Sequence, residues 1–243
     1  MVIPVQQKGS GGIKIFAEKS DLYNRKRNPR NADRVKSKIA RQPRASGIPP
    51  KKVIYVQVHD AGSSSPLMLN MLRDAARLQQ RGCRFLDARD IKGLYNATNE
   101  LEDGAIIYVD DFAGSGNQFC ESRDFFAQHI IGNFVEFFLL PCICEEAIQE
   151  IEARGVETIT THKHFQAERP LHEKSGIFNI EIKNRLVNLC LKIDRKGGLG
   201  YRKMATMVVF YRNAPNTIPI ILRGNPKQRP YCGIFPRTTD LPY

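Results

Sequence analysis

Val109-Asp110-Asp111-Phe112-Ala113-Gly114-Ser115-Gly116-Asn117-Gln118 is the most informative segment of this chain. It follows the apolar run 105–108 and precedes a segment whose apolar residues have helical spacing. This order predicts a buried strand, two carboxylates at its carboxyl end, a loop of small residues and a helix. Such a layout is typical of a phosphosugar or nucleotide site on an α/β sheet. Because burying unpaired charge is costly, the two adjacent acids are not expected to serve packing alone.

The segments around this loop alternate between strand and helix patterns. Residues 53–58 are rich in β-branched residues and predict a strand, and Pro66 opens a helix with Ser65 as its N-cap. Further strands are predicted at 84–88, 105–109, 134–140, 156–160 and 204–211, and further helices at 90–101, 119–131, 145–153 and 182–193. This alternation predicts an α/β fold with a mostly parallel sheet and helices on both faces. Ligands of such sheets bind at the carboxyl ends of the strands, so loops 59–65 and 110–118 are expected to be neighbours.

Composition limits the class of protein. The chain has 243 residues, 42% of them hydrophobic and 26% charged, which is typical of a globular protein. No uninterrupted apolar stretch approaches the roughly 18 residues that span a bilayer, and the start lacks the apolar region of a signal peptide, so we expect a cytoplasmic protein with no membrane contact. None of the six cysteines forms a C-x-x-C pair, and we expect most of them to be buried small hydrophobes.

The positive charge is concentrated at the front of the chain. Residues 1–52 hold 14 of the 37 basic residues and only three acids, and residues 53–243 are nearly neutral. We therefore predict two parts, a basic extended N-terminal arm at 1–52 and a folded domain at 53–243. The arm is expected to contact nucleic acid or an acidic protein partner. The candidate contact residues of the arm are Arg25, Lys26, Arg27, Arg30, Lys36, Lys38 and Arg41.

The acidic segment has the chemistry of a sugar-phosphate site. Gly114 and Gly116 allow the backbone to turn N–H groups towards a phosphate, and the following helix adds its positive end. The carboxylates of Asp110 and Asp111 repel a phosphate but suit ribose hydroxyls, or a Mg²⁺ that bridges those hydroxyls and a pyrophosphate. Both features together favour a ligand such as phosphoribosyl pyrophosphate.

The segment resembles the signature of the type I phosphoribosyltransferases, which is an apolar strand, two acids and a small-residue loop. Ser115-Gly116 stands where Thr-Gly is usual, and Asn117-Gln118 replaces Gly-Thr. Together with Gly198-Leu199-Gly200-Tyr201 and the segment 213–219, it is similar to phosphoribosyltransferase-like effectors of bacterial conflict systems, including retron-type anti-phage defence. The resemblance covers about residues 53–237. It implies a phosphoribosyltransferase-like fold, Mg²⁺, a possible transferase reaction, and a retron reverse transcriptase and its RNA–DNA as partners.

The resemblance also implies roles for individual residues. Asp110 and Asp111 would be catalytic and would hold the ribose hydroxyls directly or through Mg²⁺. The 5-phosphate loop would consist of Phe112, Ala113, Gly114, Ser115, Gly116, Asn117 and Gln118. The loop that grips the pyrophosphate would consist of His59, Asp60, Ala61, Gly62 and Ser63. That second loop lacks the basic residue that such loops often carry, so pyrophosphate binding would need Arg202, Lys203 or Arg237.

Two alternatives use the same residues. Asp110 to Gly116 also fits the start of the S-adenosylmethionine site of DNA amino-methyltransferases, and Asp240-Leu241-Pro242-Tyr243 nearly matches their second motif. A non-catalytic nucleotide-binding module on the same fold would keep the loop and show no turnover. His162 and His164 stand two apart and could form a metal pair. Because no third ligand is evident, we expect a polar surface there.

Overall fold

The computed structural model describes residues 47–58, 64–87, 90–210, 214–224 and 233–235. The described residues fall into two compact units, one that ends at Lys163 and one that begins at His164. Nearly all of the predicted arm, residues 1–46, lies outside the described residues. The division into an arm at 1–52 and a domain at 53–243 therefore stays a prediction.

The first unit contains a sheet with helices between its strands. Its strands are β1 (Val53–Gln57), β2 (Arg84–Leu86), β3 (Asp103–Val109), β4 (Phe112–Ala113), β5 (Asn133–Cys144) and β6 (Val156–His164). Its helices are α1 (Ser64–Ala76), α2 (Ile91–Leu101), α3 (Asn117–Ala127) and α4 (Glu145–Glu152), with 3-10 turns at Pro50–Lys52 and Gln79–Arg81. The strand order is β2-β1-β3-β5-β4, and β6 pairs with β5. β1 pairs in parallel with β2 and β3, and β5 pairs in parallel with β3 and β4, which confirms the predicted α/β class.

Alternate residues of the central strands pack against different helices. Ile54, Ile106 and Phe138 belong to a cluster with apolar residues of α2, α3 and α4. Their chain neighbours Tyr55, Ile107 and Phe137 belong to a second cluster, which contains α1. Because successive side chains of a strand point to opposite faces, helices cover both faces of the sheet, as predicted.

The second unit is described by itself. It contains α5 (Ile180–Ile193), α6 (Ile220–Arg223) and 3-10 turns at Gln166–Glu168 and Tyr201–Lys203. The predicted strand at 204–211 is wrong for residues 204–209, and Phe210 forms only an isolated bridge. Ala205 has a left-handed φ of 47°, and its N–H donates to the Leu199 carbonyl. The Thr206 N–H donates to the Thr217 carbonyl, so this apolar segment is bonded to two loops and not to a strand ladder.

Helix α5 buries only part of the apolar stripe, residues 182, 186, 189, 190 and 193, that its helical spacing indicates. Lys183 and Cys190 are buried, but Ile182 and Leu189 are 42% and 47% exposed. The Lys183 Nζ donates to the carbonyl oxygens of Ser175, at 2.9 Å, and Glu173, at 3.3 Å. These two carbonyl oxygens accept hydrogen bonds from the ammonium group inside the unit, so the pattern of apolar residues does not predict that Lys183 is buried.

Two expectations from composition can be checked in the described residues. None of their helices is both long enough and apolar enough to cross a bilayer. Cys120, Cys142, Cys144 and Cys190 are buried, Cys83 is partly buried, and none of these five forms a disulfide. The prediction that most cysteines are buried hydrophobes is confirmed for these residues.

Candidate functional site

The two acids lie at an interruption of the sheet. β3 ends at Val109, which is opposite Leu139 of β5, and β4 begins at Phe112, which is opposite Cys142. β3 and β4 therefore pair with β5 in the same register, and Asp110 and Asp111 are the two residues between them. The acids stand at the carboxyl end of β3, where sequence analysis placed them.

Pro141 of β5 explains why the ladder breaks at this point. It is the residue that continuous register would place opposite Asp111. Proline has no N–H, so β5 has no donor for the ladder hydrogen bond here. The Pro141 carbonyl accepts hydrogen bonds from the hydroxyls of Thr160, at 3.2 Å, and Thr161, at 2.7 Å. β5 thus continues through the proline while its neighbour departs.

Both carboxylates are nearly buried, with 5% of Asp110 and 7% of Asp111 exposed. The Asp110 N–H donates to the Leu139 carbonyl at 3.2 Å, which extends the ladder by one bond. The Asp110 Oδ1 then accepts the Asp111 N–H at 2.8 Å. This contact fixes the turn between the two acids. Carboxylate oxygens are the ligands that Mg²⁺ prefers, so the donor set fits a magnesium ion.

The loop after the acids leads directly into helix α3. Gly116 is the N-cap of that helix and has a left-handed φ of 80°. A Cβ on Gly116 would lie 3.2 Å from the Ala147 Cα of α4, so the loop passes close to a second helix. Because glycine has no side chain, no cap side chain covers the first-turn N–H groups of α3. The predicted 5-phosphate loop therefore leads into a helix N-terminus that is capped by a glycine, and its binding role stays a prediction.

A partly buried polar network joins α3 to β3 and β5. The Tyr108 hydroxyl donates to the Glu136 Oε2 at 2.7 Å, and the Arg123 Nε donates to the same oxygen at 3.0 Å. Arg123 Nη2 also contacts Glu136 Oε1, so the pair is bidentate. Burial, followed by the Glu136 charge, raises the pKa of Tyr108, and the hydrogen bond to Glu136 raises the pKa of Arg123. The Tyr108 ring also contacts the ring of Phe119 of α3, with centroids 5.3 Å apart.

Ser65 connects the ends of two central strands. Its hydroxyl accepts the Val58 N–H at 2.9 Å and donates to the Val109 carbonyl at 2.5 Å. Ser65 is fully buried and lies within α1, which begins one residue earlier. The prediction that Ser65 caps a helix starting at Pro66 is therefore wrong, because its hydroxyl bonds to strand ends.

Other predicted site residues lie outside the described part of the chain. They are the pyrophosphate loop His59, Asp60, Ala61, Gly62 and Ser63, the arm residues Arg25, Lys26, Arg27, Arg30, Lys36, Lys38 and Arg41, and the segment 240–243 of the methyltransferase alternative. Their predicted roles stay predictions. Within the described residues, the structure places Asp110, Asp111 and the loop 112–118 together at one carboxyl strand end.

Three residues shape the site in ways that the sequence did not predict: Ser65, Glu136 and Pro141. Glu136 stands inside the apolar run 134–140, and an acid there was a visible signal for a buried ion pair. Pro141 suggested the end of a strand, although β5 continues to Cys144. The role of Ser65 depends on two strands that are distant in sequence, so no local pattern could reveal it.

His162 and His164 of β6 are both buried, so the prediction of a polar surface is wrong. The His164 Nδ1 lies 3.2 Å from the Glu168 Oε2. The His164 Nε2 accepts the Met207 N–H at 3.4 Å. Both nitrogens of His164 therefore have protein partners.

A mostly parallel sheet with helices on both faces, and a polar loop at the carboxyl end of a central strand, defines an α/β protein of the type that binds ligands at its strand ends. Residues 15–237 match the PRTase-CE family, and the chain belongs to that family. Its fold is phosphoribosyltransferase-like. No curated protein matches the chain.

Several solved structures are similar to parts of the chain. Orotate phosphoribosyltransferase from Aeropyrum pernix is 14% identical, with a TM-score of 0.37, over 56% of this chain and 72% of that one. The Mycobacterium tuberculosis H37Rv orotate phosphoribosyltransferase in complex with 5-phospho-α-D-ribosyl 1-diphosphate is 12% identical, with a TM-score of 0.34, over 59% and 79%. A hypothetical protein from Neisseria gonorrhoeae with bound ppGpp is 14% identical, with a TM-score of 0.37, over 67% and 94%.

Proposed function

We propose that this chain binds phosphoribosyl pyrophosphate or a nucleotide at Asp110, Asp111 and the loop 112–118, and that it transfers or cleaves a ribosyl bond. One observation carries the proposal: two nearly buried carboxylates stand at a break in a parallel sheet and lead into a glycine-capped helix. Carboxylates accept hydrogen bonds from vicinal hydroxyls, and a glycine-capped helix start donates N–H groups to a phosphate. A ribose 5-phosphate presents both groups.

The division of roles follows from the contacts. The Asp110 Oδ1 accepts the Asp111 N–H, so Asp110 sets the turn that places the two carboxylates side by side. Asp111 and Asp110 would hold the ribose hydroxyls, and with Mg²⁺ bound they would act as its oxygen ligands. Bound Mg²⁺ would supply positive charge near a departing pyrophosphate. The chain's own residues would orient the ribose and exclude water around its reacting carbon.

Ligand-induced thermal stabilisation tests the binding step. Phosphoribosyl pyrophosphate with Mg²⁺ should raise the melting temperature of the wild-type chain, and S-adenosylmethionine should not. Asp110→Asn and Asp111→Asn should each lose most of this rise, and in Asp110→Asn the side-chain amide oxygen can still accept the Asp111 N–H. Glu121→Gln removes an exposed carboxylate from α3 and should keep the full rise. A rise that survives both aspartate substitutions contradicts the proposed role of the acids, and a rise with S-adenosylmethionine alone favours the methyltransferase.

Release of pyrophosphate separates an enzyme from a binding module on the same fold. A transferase or hydrolase releases pyrophosphate in proportion to time, and Asp111→Asn should abolish this release. Thermal stabilisation without any release would favour the non-catalytic nucleotide-binding module.

We propose further that the chain is an effector of anti-phage defence, with a retron reverse transcriptase and its RNA–DNA as partners. The resemblance of the segments 110–118, 198–201 and 213–219 to such effectors supports this role. Cells that express the whole system should resist phage, and Asp110→Asn/Asp111→Asn should remove that resistance at unchanged protein level. Unchanged resistance would separate the defence role from this site.

A further inference from the structure

The second unit carries a compact basic segment, residues 192–203, which starts in the last turn of α5. It holds five basic residues and a single acid, Asp194. The basic side chains are all exposed: Lys192, Arg195, Lys196, Arg202 and Lys203. The Asp194 Oδ1 accepts the N–H groups of Lys196 and Gly197, both at 2.9 Å. The carboxylate thus helps to fold the segment, and five basic residues against one acid give it a net formal charge of +4.

Two glycines keep the basic segment compact. A Cβ on Gly198 would lie 2.2 Å from the Cys190 carbonyl oxygen, and one on Gly200 would lie 2.3 Å from the Thr217 carbonyl oxygen. The Gly198 N–H donates to the Asp194 carbonyl, and the Tyr201 N–H donates to a carbonyl of the loop 214–219. The chain thus folds back on the end of α5.

Part of this arrangement has an ordinary structural explanation. Lys192, Arg195 and Lys196 lie at the carboxyl end of α5, where positive charge stabilises the helix dipole. That explanation does not extend to Arg202 and Lys203, which follow the second glycine and lie in a separate 3-10 turn.

Arg202 and Lys203 adopt a backbone conformation that glycine would adopt more easily. Their φ angles are 51° and 55°, in the left-handed region. This region disfavours a residue with a Cβ by about 1–2 kcal/mol. Both side chains are exposed, so burial of these side chains does not offset the strain. Strain held in an exposed basic turn is typical of a binding surface.

Tyr201 places an aromatic ring beside the two strained cations. Its side chain is 49% exposed, and its backbone is held by the Asn216 carbonyl at 2.9 Å. Exposed cations that neutralise phosphates, together with an aromatic ring on which a base can stack, are the two elements of single-strand nucleic-acid recognition. We propose that residues 192–203 bind single-stranded nucleic acid, with phosphates on the basic side chains and a base stacked on Tyr201.

Fluorescence anisotropy of a labelled single-stranded oligonucleotide with the full chain tests this proposal. Arg202→Gly/Lys203→Gly removes two cations and also the strain, so the protein stays folded. The slope of log affinity against log salt should fall in magnitude by about 1.4 for two lost single-strand phosphate contacts. Tyr201→Ala should weaken binding roughly 5- to 150-fold, the equivalent of about 1–3 kcal/mol of stacking, and Tyr201→Phe should restore it.

Matched charge controls separate this surface from general attraction to a basic protein. Lys174→Gln/Arg185→Gln removes two exposed cations of the same unit outside the segment and should leave affinity within about twofold. Equal effects of both double variants would overturn the proposal, because any positive charge would then suffice. Loss of thermal stabilisation by phosphoribosyl pyrophosphate in Arg202→Gly/Lys203→Gly, with unchanged oligonucleotide binding, would also overturn it and assign the turn to the phosphosugar. Anionic vesicles are the last competitor. If they displace the oligonucleotide from the wild-type chain but not from Tyr201→Ala, the segment binds a membrane surface instead.

Discussion

Removal of the Ser65 hydroxyl gives the sharpest test of how the strand ends are held. In Ser65→Ala, the Val58 N–H loses an acceptor at 2.9 Å and the Val109 carbonyl loses a donor at 2.5 Å. Val58 and Val109 are 2% and 1% exposed, so water does not easily replace the lost partner. Each buried backbone group left without a partner costs about 1–3 kcal/mol, so we expect a total loss of roughly 2–4 kcal/mol once the site relaxes.

Urea unfolding followed by circular dichroism measures this loss directly. Thr158→Ala is a matched control, since it also removes one hydroxyl, but from an exposed bond to the Glu152 carboxylate at 2.7 Å. We expect the control to lose less than about 1 kcal/mol. The variant should also show a smaller thermal rise with phosphoribosyl pyrophosphate, because Val109 directly precedes the acids. Equal unfolding free energies for the two variants would refute the reasoning that Ser65 joins the strand ends.

Three further outcomes are expected. Glu136→Gln leaves the partly buried Arg123 without its bidentate partner and should lower the free energy of unfolding by roughly 3 kcal/mol. Glu100→Gln, which weakens the exposed ion pair between Arg84 and Glu100, should change it by less than about 1 kcal/mol in urea titrations. Gly116→Ala places a Cβ in the left-handed region and against α4, so the free energy of unfolding should fall by about 1–3 kcal/mol. The variant should also lose the thermal rise from phosphoribosyl pyrophosphate. An unchanged rise would show that the cap conformation is not needed for binding. Burial raises the pKa of the Cys190 thiol above its value in the unfolded chain, so its contribution to stability is complete below the ordinary thiol pKa of about 8.5 and is lost as pH rises through the folded value. The free energy of unfolding should therefore be lower at about pH 10 than at about pH 8, and Cys190→Ala should show a smaller decrease.

The first unit was predictable from sequence because its signals are local. Apolar runs at 53–58 and 105–109 and the helical spacing after Gln118 each specify one element, and parallel order follows from their alternation. The acid pair was found for the same reason, since two carboxylates after an apolar run have few structural explanations. Burial of Asp110 and Asp111 below one-tenth exposure agrees with that interpretation.

The second unit was less predictable because its stability depends on bonds between loops. The segment 204–210 has the composition of a strand, but its backbone bonds to residues 199 and 217 prevent a ladder. The apolar pattern of α5 does not predict the burial of Lys183, which its two carbonyl acceptors allow. In both cases a polar contact between distant residues outweighs a local hydrophobic preference.

The interruption of the sheet at Pro141 explains how a carboxylate pair can stand at the end of a buried strand. A continuous ladder would place the backbone of residues 110 and 111 between neighbouring strands, where their polar groups are used by the sheet. Since Pro141 offers no N–H, the ladder bond at this position is lost without any change in register. The freed chain turns at Asp110, whose Oδ1 accepts the next N–H, and rejoins β5 at Phe112. Because the register is preserved, the loop 112–118 and α3 start from a fixed place on β5, so Pro141 both ends the pairing of β3 and fixes where the loop after the two acids begins.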